Sequence, residues 1–137
     1  MTKTGNYNLN KPEPTDPLRL ADFNENADII DAALAAVPSF VTGTYTGDGT
    51  TNRTIELGFT PKAVFVCNNQ GATAHVGSSV SWMIYGGLAL PDCPVQRSGK
   101  KALSIVSGGF QVTYYSDAAL RICTNLSDSV FYYVALR

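Results

Sequence analysis

At 137 residues, with 45% apolar and 15% charged side chains, the chain can bury one core of ordinary size and has little left for a second domain. A formal net charge of −1, with ten Lys and Arg spread along the chain, leaves out the clustered positive footprint on which nucleic-acid binding rests. The opening Met1-Thr2-Lys3-Thr4-Gly5-Asn6 lacks the apolar stretch of a signal peptide, and nowhere do about eighteen apolar residues run together, so neither a cleaved leader nor membrane insertion is expected.

The first element is an arm, Tyr7-Asn8-Leu9-Asn10-Lys11-Pro12-Glu13-Pro14, for which Pro12, Pro14 and Pro17 predict an extended path. A helix follows. Asp22-Phe23-Asn24-Glu25 is a capping-box pattern that places its start at Asp22, with Asp16-Pro17 as a competing earlier start, and Pro38 ends it. About fourteen residues, roughly 21 Å, are expected to be helical, a length that is marginal in water without packing. Leu20, Phe23, Ala27, Ile30, Leu34 and Val37 recur at alternating spacings of three and four, the a/d pattern of a heptad seam. Such a seam needs a partner, either other chains or the rest of the domain. Leucine at the a positions 20 and 34 with isoleucine at the d position 30 shifts preference from two-stranded coils toward trimers or tetramers.

After Pro38 the period changes to that of strands. Residues 40–46 and 53–57 read as a hairpin around the turn chemistry of Gly47-Asp48-Gly49-Thr50-Thr51-Asn52. Further strands are predicted at 63–67, 79–85, 102–106, 110–115, 120–123 and 130–136, with Gly108-Gly109 as a tight hairpin turn. About eight short strands with glycine-rich turns and no second helical pattern imply a mainly β chain. The expected architecture is an antiparallel β-sandwich or jelly-roll-like domain at 39–137, preceded by the arm and short helix at 1–38 as a coiled-coil stem.

Little in the chain announces chemistry. Cys67, Cys93 and Cys123 form no C-x-x-C pair and have no flanking histidines, so they read as free thiols, with Cys93, between Asp92 and Pro94, as the exposed one if any is. His75 has no acid nearby in sequence to orient it as a base. Gly77-Ser78-Ser79-Val80-Ser81 only superficially resembles a nucleophile elbow, and Gly47-Asp48-Gly49 lacks both the lysine of a phosphate loop and the repeated acids of a calcium loop. After Glu56 only Asp92, Asp117 and Asp128 supply carboxylates, so a glycosidase pair would have to come from scattered loops. No enzyme activity, metal or cofactor is expected.

Aromatic and amide residues are plentiful instead: Asn68-Asn69-Gln70, Trp82, Tyr85, Tyr114-Tyr115 and Tyr132-Tyr133. Neighbouring strand residues point to opposite faces, so one ring of each Tyr pair is expected outside the core. Such rings suit sugar faces and protein surfaces alike, while core filling and packing between chains compete for each of them.

Residues Tyr7 to Asp16 and then Asp22-Phe23-Asn24-Glu25-Asn26-Ala27-Asp28-Ile29-Ile30-Asp31 resemble the N-terminal part of tail-fibre and receptor-binding proteins in tailed phages and prophages of Gram-positive bacteria. Gly43-Thr44-Tyr45-Thr46-Gly47-Asp48-Gly49-Thr50 with Arg53-Thr54-Ile55-Glu56-Leu57-Gly58-Phe59-Thr60-Pro61-Lys62-Ala63-Val64 resembles the opening of a β-domain at the tips of such fibres, and Tyr132-Tyr133-Val134-Ala135-Leu136 its closing strand. The resemblance implies a homotrimer in the virion, made in the bacterial host cytoplasm. Its arm would meet other phage tail or baseplate proteins, and its heads would meet host-cell surface polysaccharide or protein. Leu20, Phe23, Ala27, Ile30 and Leu34 would then form the trimer stem. Asn68, Asn69, Gln70, His75, Trp82, Tyr85, Tyr115 and Asp117 are the candidate receptor contacts. The runner-up is a structural baseplate or fibre-adaptor subunit that binds no host receptor; a hydrolase of surface polysaccharide and a cellular carbohydrate-binding module fit less well.

Overall fold

A computed structural model describes residues 1–78 and 82–137. The chain is mainly β, with several antiparallel sheets and, among the described residues, one helix. It divides into two compact units, Met1–Pro38 and Ser39–Arg137.

The N-terminal unit departs from the expected extended arm. Strand β1 (Thr2–Lys3) pairs antiparallel with β2 (Asn10–Lys11), so the chain doubles back before the prolines begin. The reason is local: Asn8 takes a left-handed conformation (φ 55°), which asparagine tolerates, and the Leu9 amide donates to the Thr4 hydroxyl at 2.9 Å. Helix α1 (Leu20–Ala35) has 16 residues and starts two residues before Asp22. The capping box is not formed: Arg19 occupies the N-cap with no side-chain bond, and Asp22 lies in the first turn. Glu25 is engaged elsewhere, accepting from Asn10 Nδ2 at 2.6 Å with Lys3 Nζ 3.6 Å away. Asn10 fixes the hairpin to the helix, its amide donating to Asn26 Oδ1 at 2.6 Å and its carbonyl accepting from Asn26 Nδ2 at 2.9 Å.

The second unit contains β3 (Phe40–Thr46), β4 (Arg53–Glu56), β5 (Ala63–Asn68), β6 (Ala74–His75), β7 (Trp82–Ile84), β8 (Gly87–Ala89), β9 (Val95–Arg97), β10 (Lys100–Val106), β11 (Gly109–Val112), β12 (Tyr114–Ser116), β13 (Leu120–Cys123) and β14 (Val130–Leu136). These form three four-stranded sheets with orders β3-β14-β5-β8, β4-β11-β10-β9 and β12-β13-β7-β6. The predicted hairpin of residues 40–46 with 53–57 does not exist. Strand β3 pairs along its whole length with β14, and β4 pairs with β11 in another sheet. The intervening turn is held from outside, by Asn125 Nδ2 donating to Asp48 Oδ1 at 2.6 Å and to the Thr50 carbonyl at 2.9 Å, so it carries the chain from one sheet to the other.

Other boundaries move for comparable reasons. The single strand expected at 110–115 breaks at Thr113, whose amide donates to Thr124 Oγ1 at 3.0 Å and whose carbonyl accepts from the Asn125 amide at 3.1 Å. At the β10–β11 hairpin Gly108 has φ +83°, but Gly109 is already in the ladder, its Cβ space filled by the Ile55 carbonyl. The fold is also not wholly antiparallel, since β13 runs parallel to β7. Of the strand expected at 79–85, residues 79–81 lie outside the described residues.

Two of the sheets share a core. Tyr45, Val64, Val66, Ala89, Phe131 and Ala135 from β3-β14-β5-β8 meet Leu103, Phe110 and Val112 from β10 and β11. Tyr45 stacks on Phe131 (centroids 5.2 Å, planes at 17°) and meets Phe110 edge-on at 6.0 Å, arrangements that add to plain area burial. A smaller cluster of Ile84, Ala102, Leu120 and Ile122 lies under the third sheet, with Trp82, Val95 and Tyr115 against it.

Candidate binding surfaces

The expected receptor residues divide into separate groups. Asn68 uses its side chain on its own turn, Oδ1 accepting from the Gln70 amide at 3.0 Å and the Ala72 amide at 2.8 Å, which leaves Asn69 and Gln70 exposed at the tip. The far end of that loop is held beside Tyr85, because the Thr73 carbonyl accepts from the Tyr85 and Gly86 amides. Tyr85 packs its ring against the main core, with its hydroxyl 3.4 Å from Met83 Sδ. His75 is exposed on β6, opposite Met83.

Trp82, Tyr115 and Asp117 do come together around the β9–β10 turn. Leu120 pairs with Trp82, and Ile122 with both Ile84 and Tyr115, so alternation places Trp82 and Tyr115 on one face of the third sheet. The turn joining Arg97 to Lys100, with Ser98 (φ 51°) and Gly99 (φ 75°) both left-handed, sets a cation over each ring. The Arg97 guanidinium stands 3.7 Å from the Trp82 ring centre, and Lys100 Nζ 4.7 Å from that of Tyr115. Tyr115 donates its hydroxyl to Asp117 Oδ2 at 2.7 Å, while Asp117 Oδ1 accepts from the Ala119 and Leu120 amides. That phenol bond is the leading cause that lowers the Asp117 pKa and raises that of Tyr115. Asp117 is thus an organiser of its turn, and the two rings carry cations rather than open faces.

A surface the sequence reading missed lies on the outer side of the β3-β14-β5-β8 sheet. The register aligns Thr44, Tyr132 and Cys67 in one row and Thr42, Val134, Phe65 and Leu88 in the next. Tyr132 is 50% exposed, Phe65 40%, Leu88 58% and Val134 37%. A groove of about 330 Å³ runs among Thr42, Thr44, Phe65, Cys67, Tyr132 and Val134, with no charged side chain in its lining. Its signal in the sequence was the run Ala63-Val64-Phe65-Val66-Cys67, apolar on both alternating faces when one face suffices for the core.

The helix offers the other apolar surface. No residue of α1 is buried, and its seam stands open: Leu20 77%, Phe23 56%, Ile30 45% and Leu34 67% exposed, with Ala27 exposed as well. The hairpin is tied to the helix through Asn26, beside the seam, and arm residues reach its border: Asn10 and Pro12 line a cleft with Phe23, and Tyr7 lines another with Ile30, Leu34 and Val37, yet the seam side chains keep most of their exposure.

No protein-family model, curated protein or solved structure matches this chain. Among the described residues no group of three or more His, Cys, Asp and Glu side chains comes together to hold a metal ion, and no helix is long and apolar enough to cross a membrane. Cys93 is exposed, Cys67 is half-buried on the outer sheet face, and Cys123 is buried, its thiol pushed up to about 11 by desolvation. What the molecule presents is exposed apolar area on α1 and on the outer sheet face, together with a cation-capped aromatic cluster.

Proposed function

We propose that the protein is a homotrimeric virion tail-fibre or receptor-binding subunit. Three copies of α1 would form the stem through Leu20, Phe23, Ala27, Ile30 and Leu34, and each β unit would be a sandwich-like head offered to host-cell surface polysaccharide or protein. The observation that carries this reading is the exposed heptad seam. A two-turn-per-heptad stripe of Leu, Phe and Ile that the N-terminal unit itself leaves exposed is stabilised by burial between helices, and its a/d residues favour more than two strands. The arm would meet other tail or baseplate proteins, and three heads would gain avidity from weak contacts.

Receptor contact is assigned to the loop of Asn69 and Gln70, to His75, and to the cluster of Trp82, Tyr115 and Asp117. A structural baseplate or fibre-adaptor subunit is the second reading. It draws on the cations over Trp82 and Tyr115, which leave fewer open ring faces for sugars. Binding of the full chain to host cells or to a glycan array distinguishes them: retention by host cells, weakened by changes at Gln70 or Trp82, supports the first, and none at any avidity supports the second. The stem is tested by Ile30→Asp, which would place unpaired charges in the seam and dissociate the trimer; a variant that stays fully trimeric refutes it.

A further inference from the structure

We infer that the outer face of the β3-β14-β5-β8 sheet is a second interface between copies of this chain, one that the β unit itself contributes to the assembly. The inference rests on the trimer proposed above and adds the surface that would complete it.

The face is apolar beyond what an isolated head needs. Phe65, Leu88, Val130, Tyr132 and Val134 are each at least 37% exposed, and all stand on one side of one sheet by the strand register. Contiguous exposed apolar area of this kind marks an association surface rather than scattered surface hydrophobes. Its chemistry selects the occupant. The polar groups at the groove are uncharged hydroxyls, those of Thr42 and Thr44 and the phenols of Tyr132 and Tyr133, and its lining holds no carboxylate, amide side chain or cation with which to recognise a charged partner. Interfaces between copies of one chain are the more apolar kind, depleted of charge at their centre.

The stem also calls for it. A helix of 16 residues supplies little more than two heptads, and helices of about that length are marginal alone. Residues 36–39 are all that join α1 to β3, so a bundle of three helices tethers three β3 strands at high effective concentration. Strand β3 is an edge strand of this sheet, seven residues long and without charge or proline inside it, whereas edges that must stay free are usually protected by such residues.

Cys67 reports on the face directly, since it pairs with Tyr132 across the register and lines the groove. Full-length protein is treated briefly with a maleimide at micromolar concentration and the labelled cysteines are mapped by peptide mass, with exposed Cys93 as internal reference. The proposal predicts that Cys67 labels at least tenfold faster, relative to Cys93, in Leu88→Glu than in the wild type, and that the variant's trimer dissociates at a tenfold higher concentration. Thr42→Arg, an exposed edge substitution that does not touch the core, should do the same. A wild-type trimer whose Cys67 labels as fast as in both variants overturns the interface while leaving the helical stem standing. A wild-type monomer overturns both, and a trimer lost in Ile30→Asp but unchanged in Leu88→Glu and Thr42→Arg assigns assembly to the stem alone.

Discussion

Replacing Tyr45 by Phe isolates one buried hydrogen bond in the centre of the β unit. The Tyr45 hydroxyl donates to the Thr124 carbonyl at 2.6 Å, Tyr45 is 7% exposed and Thr124 is fully buried. Burial raises the phenol far above its ordinary pKa, so it remains a neutral donor throughout the range in which the protein folds. Phenylalanine keeps the stack on Phe131 and the edge contact with Phe110 and removes only the oxygen, leaving a buried carbonyl short of its donor. Such a loss costs about 1–2 kcal/mol. For a unit of this size about 5 °C of Tm corresponds to each kcal/mol, so thermal unfolding followed by circular dichroism should fall by about 5–10 °C. Tyr45→Leu should cost about 2 kcal/mol more, because the ring contacts go as well. A Tyr45→Phe variant within 1–2 °C of the wild type would refute the assignment of that bond as a tie between β3 and the chain leaving β13.

Asn125 is the second tie, donating to Asp48 and Thr50 and accepting from Arg53 Nη1 at 3.3 Å, and Asn125→Ala should lower stability by about 2–3 kcal/mol in urea unfolding with an unchanged slope. Asp48 is held down to about 2 by the hydroxyl and amide of Thr50 and then by Asn125, against an ordinary 3.8. A depressed carboxyl contributes stability that is present above its unfolded value and lost as pH falls toward its folded one. Asp48→Asn should therefore be less stable than wild type at neutral pH, with the gap closing between about 3.8 and about 2 in a pH series of melting temperatures. Gly86→Ala would drive a Cβ into the Val66 carbonyl, where backbone has to move, so a loss of about 3 kcal/mol or more is expected in the same urea assay.

Residue type made the long strands legible and the pairings not. Residues 40–46 and 130–136 are rich in β-branched and aromatic residues, and β3 and β14 occupy the spans expected for them. Their pairing with each other spans most of the chain, and no local signal marks it. The turn at 47–52 looked like a hairpin because Gly and Asp favour any tight turn; that it crosses between sheets depends on Asn125, over seventy residues away. Short strands such as β6, β8 and β9 carry too few residues for a period to show and exist because a neighbour offers them an edge. The seam of α1 was readable because a heptad is a local pattern. The outer sheet face escaped notice because Phe65, Tyr132 and Val134 become neighbours only through register, and Trp82 and Tyr115 looked open because the cations that cover them arrive from β9 and β10.

The mass of the purified full-length protein in solution, by light scattering on a sizing column at micromolar concentration, bears most directly on the proposed assembly. The account predicts three times the 14.6 kDa chain mass, falling to a single chain in Ile30→Asp. A wild-type protein that elutes at the mass of one chain, with the α1 seam left in water, would contradict it.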